Sequence, residues 1–438
     1  GLGARIEVVR SYSDYEESFL VTNRISQLKM SSGDSYEDFA ILYRTNAQSR
    51  ILEESLRKRN IPYRIYGGLS FYQRKEVKDA LAYFRLAMNP DDEESLKRVI
   101  NFPARGIGDT TLKKILAAAA APEVSLWTVV KAPLQYGLKI NAGTQRRLRA
   151  FEDIVTELND MVATGATADA ISENMLRLTH MMDEYKNDNT PESITKRENL
   201  EELTNDVKTF VQAQQEQGLG EGTMPEYLAQ ASLATDADTA EADADTPKVT
   251  LMTIHAAKGL EYGNVFVVGV EDDLLPSMMS KDSPAAIEEE RRLLYVAITR
   301  AKRYCMLSYA TSRFRNGMTE FTSPSPFLND IDSKYLCFPS GSEIAESGRI
   351  QPQHTKTWLT RKPPMTIKQP ATSKSTPDES TFQASQLSVG MNIRHSRFGK
   401  GTITEIDGNN PGGARIKVRF DTGETKTLML AFARFTLL

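Results

Sequence analysis

Cysteine, long apolar runs and net charge are all scarce in this chain, and each shortage excludes something. Two cysteines in 438 residues, Cys305 and Cys337, cannot build a disulfide framework or a multi-cysteine zinc site, which leaves the cytosol as the default compartment. Cys305 sits in the apolar run YCMLSYA and reads as a small core residue. No apolar stretch approaches the roughly 20 residues needed to cross a bilayer, so no membrane partner is expected. The opening residues, GLGARIEVVRSYSDYEESF, carry no basic patch followed by an apolar segment and are not a signal peptide. They lack an initiator Met and enter a strand-like run at once, as a piece cut from a longer protein would. The net charge is only −4, so any nucleic-acid surface must be a local patch. The remaining composition, 40% hydrophobic and 26% charged, is that of a soluble globular chain long enough for two or three domains.

Residues 1–90 alternate between strand and helix patterns. EDFAILYR reads as a buried strand, AQSRILEESLRKRN as an amphipathic helix and IPYRIYGG as a second strand. VKDALAYFRLAMN follows as a helix stopped by Asn89-Pro90. From about residue 93 to 233 only helical stripes appear, closing on TDADTAEADAD, whose five acids between Asp236 and Asp245 suit a solvated linker. The α/β pattern then resumes with KVTLMTI, NVFVVGVED, the helix EEERRLLYVAITRAKR and the strand YCMLSYA. Residues 340–385, rich in Ser, Thr, Pro, Gln and Lys, read as a disordered tether. Beyond them, strand and turn signals suggest a small β-barrel with eight basic residues against four acids. The expected fold is therefore α/β: a parallel-sheet domain interrupted by an all-α insertion, then a linker and an all-β barrel. The boundaries fall at 1–92, 93–246, 247–339, 340–385 and 386–438. Separate domains in a row would give the same pattern and remain the simpler alternative.

Four segments carry candidate chemistry. TIHAAKGLEY, residues 253–262, lies between two apolar strands, and loops at the carboxyl ends of strands in open α/β sheets are where ligands bind. It offers His255, Lys258, Gly259 and Glu261 together, with Gly259 permitting close backbone approach. By itself it reads equally as an ordinary polar loop. In RRLLYVAITRAKR, residues 291–303, Leu293, Val296 and Ala297 form an apolar stripe and Arg300 falls on the same face one turn later. That arginine is either a snorkelling edge residue or a finger reaching a phosphate held by a neighbouring domain. In AILYRTNAQSR, residues 40–50, Tyr43 and Arg44 stand where a strand ends. The pair suits base stacking with phosphate pairing, or simply a buried tyrosine beside a surface arginine. In PARGIGDTTLKK, Gly106, Ile107 and Gly108 precede a helix whose first turn holds Thr110 and Thr111. Free N–H groups there can bind a phosphate, a tight turn with an N-cap being the plainer reading. Lys113 and Lys114 either supplement the loop or form a solvated helix face.

Taken jointly, the first three of these segments resemble the later helicase motifs of the UvrD/Rep/PcrA group of superfamily 1, in order and over about residues 1–330. YRTNAQSR is similar to the fourth motif, TIHAAKGLE to the fifth, VAITRAKR to the sixth, and GGLSFYQRKEVKD to the segment just after motif four. The resemblance implies a RecA-like sheet domain carrying the group's inserted helical domain, within an ATP-dependent 3′→5′ DNA helicase of the bacterial cytoplasm, at the nucleoid. It implies that Tyr43 packs on the adenine, that Arg44 and Arg300 reach the γ-phosphate, and that Glu261 accepts a ribose hydroxyl. His255 and Lys258 would meet single-stranded DNA, and Gly106, Ile107, Gly108 and Thr110 the duplex side of a junction. Arg74 and Glu76 fall in a matching segment and are assigned only to support of the site. The terminal barrel resembles the Tudor-like module of PcrA-type helicases, on VGMNIRHSRFGKGTITEI and KVRFDTGETKTL, which implies docking on RNA polymerase. Its basic surface equally suits nucleic acid.

One departure bears on activity. The chain contains no GxxxxGK[ST] phosphate loop. The group keeps that loop and its magnesium-holding acids in a first RecA-like domain, so ATP with Mg2+ is expected between that domain and this chain. The chain alone is not expected to turn ATP over. Two rival readings are a non-catalytic DNA- or RNA polymerase-binding adaptor and a helicase-nuclease of the RecB/AddA type. The first has no use for two arginines and a glutamate in motor-motif positions. The second lacks a C-terminal cluster of acids and lysine.

Overall fold

The computed structural model describes residues 3–339 apart from 121, 187, 189, 241–245 and 316–317, and then 391–395, 399–407, 415–420, 425–429 and 435–437. The expected linker at 340–385 lies outside the described residues. The chain divides into two compact units, Gly1–Arg349 and Ile350–Leu438.

The first unit begins β1 (Ile6–Ser13), α1 (Asp14–Ser32), β2 (Phe39–Tyr43), α2 (Ser49–Lys58), β3 (Tyr63–Ile65) and α3 (Lys75–Met88). A run of helices follows: α4 (Glu93–Val99), α5 (Asp109–Ala120), α6 (Leu126–Lys131), α7 (Ala142–Ala163), α8 (Ala168–Thr179), α9 (Asp183–Lys186), α10 (Pro191–Glu216) and α11 (Met224–Ala240). The unit closes with β4 (Val249–Thr253), β5 (Tyr262–Val267), α12 (Pro284–Ile298), β6 (Ala301–Arg315), β7 (Met318–Phe321) and β8 (Leu336–Cys337). Strands from before and after the helices share one sheet, ordered β3-β4-β2-β5-β6-β1-β8, with β7 on β6. All pairs are parallel except β6–β7. Residues 63–65 pair with 249–251, so the helices form an excursion between two neighbouring strands.

β2 shows how the sheet is buried on both faces. All five of its residues are buried, as a central parallel strand requires. Side chains alternate along it: Phe39, Ile41 and Tyr43 enter a core with Val21 and Ile25 of α1 and Leu52 and Leu56 of α2. Ala40 and Leu42 enter the opposite core with Met252, Ile254, Leu293 and Leu294. The helices build a third core running from Phe71 and α3 to Ala231, so it reaches back before residue 93. α11 continues to Ala240, which corrects the expectation of a linker from Asp236. The stretch extends a docked helix, and alanines favour that continuation.

A buried polar cluster fixes the helices to the sheet. Arg50 of α2 donates through Nε to Glu202 at 2.6 Å and through Nη1 to Asp206 at 2.8 Å. Asp206 also accepts from the hydroxyls of Tyr72 and Tyr227, at 2.7 and 2.8 Å.

The second unit is an antiparallel sheet of β9 (Asn392–His395), β10 (Gly399–Asp407), β11 (Arg415–Phe420), β12 (Thr425–Met429) and β13 (Phe435–Leu437), in the order β12-β11-β10-β9-β13. Val418 and Phe420 are buried while Lys417 and Arg419 are exposed. Among the described residues no helix is long and apolar enough to cross a membrane.

Candidate functional site

Residues 254–261 leave the carboxyl end of β4 and reach the amino end of β5, with β2 between the two strands. They cross on the face that carries Ala40 and Leu42: Ile254 and Ala257 are buried in that core, and Ala256 and Leu260 pack against it. The Ile254 N–H donates to Tyr43 O at 2.9 Å, which anchors the start of the crossing. His255, Lys258, Gly259 and Glu261 are left exposed. Gly259 has φ +86° and nothing within 4 Å of where a Cβ would sit. The left-handed turn, rather than a close neighbour in this chain, is what calls for glycine there.

α12 lies on the same face. Ser283 caps it, accepting from the Ala286 N–H, and Pro284 opens its first turn. Glu290, Leu293, Leu294 and Ala297 are its buried residues. Arg300 follows the helix end. Its Nε donates to Val296 O at 3.0 Å, Nη1 to Leu260 O at 3.0 Å and Nη2 to Thr299 Oγ1 at 3.1 Å. The Tyr262 N–H donates back to Arg300 O at 2.9 Å. Arg300 is thus held by neutral oxygens, half-buried, against the residue that precedes Glu261. Glu261 is exposed, 3.6 Å from Lys302 Nζ. The fifth- and sixth-motif segments therefore bring Arg300 and Glu261 together at the amino ends of β5 and β6.

Two expectations are corrected here. Tyr43 cannot offer its ring to an adenine, because it is 1% exposed in the core beneath α1 and α2. Alternation sends Arg44 to the other face, where its guanidinium grips both oxygens of Glu290 at 2.7–3.2 Å. Ser280 Oγ also donates to Glu290, at 3.1 Å. At about 1.5 Å rise per residue, Glu290 stands roughly 12 Å from the end of α12. Arg44 thus sits midway along the helix and Arg300 just beyond its carboxyl end, about two turns apart, each held by its own partners.

His255 lies near Arg44, and partial burial followed by that guanidinium lowers its pKa from the ordinary value. Depression below the unfolded value means stability is lost as pH falls from about 6.5 through the folded pKa. An NMR titration is expected to give a His255 midpoint below 6.5, rising in Arg44→Met. A midpoint unmoved by that substitution would remove Arg44 as a cause.

The Gly106–Gly108 loop leads into α5. Gly106, Gly108 and Thr110 are exposed. Ile107 is corrected: its side chain is 1% exposed and its N–H is taken by Asn101 Oδ1 at 2.9 Å. Gly106 has φ +70°, and its missing Cβ leaves room for Arg147, whose Nη1 donates to Gly106 O at 3.2 Å. Lys114 Nζ donates to Lys139 O at 3.2 Å. Arg74 donates to Asn199 Oδ1 and Ser49 Oγ, and Glu76 accepts from Asn199. Both hold α10 against the sheet elements, away from the exposed groups.

Glu290 escaped the sequence reading although it falls on the Leu293/Leu294/Ala297 stripe. An acid on an apolar stripe was the available signal. Arg50, Asn101 and Arg147 gave no such signal. A cavity of about 370 Å³ lies where Asp14, Thr45, Gln48, Val268 and Arg313 meet α10. None of the expected site residues lines it. Among the described residues no group of three or more His, Cys, Asp or Glu is gathered to hold a metal ion.

The model of the UvrD-like helicase C-terminal domain matches residues 1–312. The chain is 33% identical to DNA helicase II of Escherichia coli (strain K12) over 435 residues, covering 99% of this chain and 56% of that protein. It is 32% identical to ATP-dependent DNA helicase PcrA of Bacillus subtilis (strain 168) over 436 residues, 98% of this chain and 56% of that protein. The chain thus spans about half the length of these relatives.

Proposed function

Because the chain belongs to the UvrD-like helicase C-terminal domain family, we propose that it is the second half of an ATP-driven DNA helicase motor. In this reading residues 1–92 and 247–339 form the second RecA-like domain and residues 93–246 its inserted helical domain. ATP binds between this chain and a P-loop domain joined to it, which also carries the magnesium ligands. The observation that carries the reading is the pairing of Arg300 with the Leu260–Glu261 turn. Arg300 is charged at every relevant pH, is anchored by neutral oxygens, and is free to meet an anion from the facing domain. There it stabilises the charge spread over the transferring phosphoryl oxygens, while Glu261 accepts a ribose hydroxyl. Closing and opening of that cleft steps the protein 3′→5′ along a single strand, in the cytoplasm at the nucleoid.

His255 and Lys258 hold the single strand, and the exposed Gly106, Gly108 and Thr110 with Arg147 meet the duplex at a junction. The first test is binding of a labelled oligothymidylate by the chain across a salt series. Affinity should fall linearly on a log–log plot, and Lys258→Ala should flatten the slope by about 0.7. Salt-independent binding, or none, counts against the single-strand role.

The antiparallel C-terminal sheet is read as a Tudor-like module that docks on RNA polymerase. Charge reversal of Lys417 and Arg419 should weaken a polymerase pull-down. Loss of DNA binding with the pull-down intact would reverse that assignment.

A further inference from the structure

The edge strand β3 ends on an aromatic ring that none of the roles above uses. Tyr66 follows Ile65 directly; its side chain is 45% exposed, yet its N–H is fixed to Leu251 O at 2.8 Å. Alternation decides its face. Tyr63 and Ile65 belong to the core beneath α1 and α2, so Arg64 and Tyr66 take the opposite face, the one that residues 254–261 cross. Register sets Arg64 opposite Thr250, and Arg64 Nε donates to Thr250 Oγ1 at 3.2 Å. The turn after Tyr66 packs on the crossing segment itself: a Cβ at Gly67 would lie 3.9 Å from Ala256 Cβ, next to His255. Arg64, Tyr66, His255 and Lys258 are all exposed. One strip therefore combines an aromatic ring carried on a fixed backbone, two cations and an imidazole.

We propose that Tyr66 is a stacking platform for one base of a single strand, with Arg64 and Lys258 taking phosphates on either side. This rests on the single-strand reading of His255 and Lys258. Every base has a π-face, so the platform tolerates any sequence and supplies affinity that salt does not screen. The two cations supply the salt-dependent share.

Anisotropy of a fluorescein-labelled oligothymidylate, titrated with the 438-residue chain across a salt series, separates these contributions. Tyr66→Ala is expected to weaken binding about 5- to 100-fold with the salt slope unchanged, and Tyr66→Phe to bind as the unaltered chain does. Arg64→Ala should flatten the slope by about 0.7. Tyr66→Trp gives a readout independent of affinity, since a stacked indole is quenched at saturation. Unchanged affinity in Tyr66→Ala, or an unquenched indole at saturation, overturns the platform and leaves the single-strand reading standing. If the unaltered chain does not bind the oligonucleotide, that reading falls and the platform with it.

Discussion

Arg300→Ala, in a protein that joins this chain to the proposed P-loop domain, is expected to lower single-strand-stimulated ATP hydrolysis about 10³-fold or more, with ATP binding retained. The size follows from what the guanidinium does. It is aimed by three hydrogen bonds to neutral oxygens, so its charge is not spent on a carboxylate within the chain. In the proposed motor its effect appears when negative charge spreads over the transferring phosphoryl group, and losing an interaction made mainly then lowers turnover rather than binding. Arg300→Lys keeps the charge but loses the planar fork, and should recover only a small part of the rate. Arg44→Ala is the contrasting variant. It breaks the Glu290 pair and leaves a buried carboxylate unpaired, so it should lower stability more than it lowers turnover per folded molecule. Near-normal hydrolysis in Arg300→Ala would remove the finger role and bring the adaptor reading forward.

The second large effect concerns stability. Asp206→Ala is expected to cost about 3–5 kcal/mol in urea-induced unfolding. Asp206 is 3% exposed, and Arg50, its cationic partner, is 2% exposed. Removing the carboxylate leaves Arg50 with Glu202 and Glu54 and strips the acceptor from two buried tyrosine hydroxyls. The charge of Asp206 already raises the pKa of both phenols, after burial itself. Asp206→Asn keeps an acceptor for one of them and should lose less. A loss below about 1 kcal/mol for the alanine variant would place the cluster among ion pairs that water screens.

Legibility from sequence followed how strongly each element declares one periodicity. The apolar pattern of FAILY and the stripe of α12 are strong, and both elements were foreseen. α1 was not, because its buried face mixes Val21 and Ile25 with Glu17, Ser18 and Thr22, which blurs the 3.6-residue signal. The motif segments fall at strand ends and loops of the sheet, yet motif matching treats neighbouring letters as neighbours in space. Tyr43 and Arg44 are adjacent in sequence and face opposite sides of a sheet. Ile107 failed for a related reason: one side chain, Asn101, takes the N–H groups of both Arg105 and Ile107. No spacing rule shows that. Arg300 and Glu261 lie 39 positions apart, and only the parallel pairing of β5 with β6 brings them together.

In the proposed motor, this chain completes a nucleotide cleft together with a P-loop domain. The most direct measurement is ATP turnover in the presence of single-stranded DNA, for the chain alone and for the same chain joined to its P-loop domain. Turnover only in the joined protein, abolished by Arg300→Ala, is the predicted result. Turnover by the chain alone, or an inactive joined protein that still binds ATP and DNA, would contradict it.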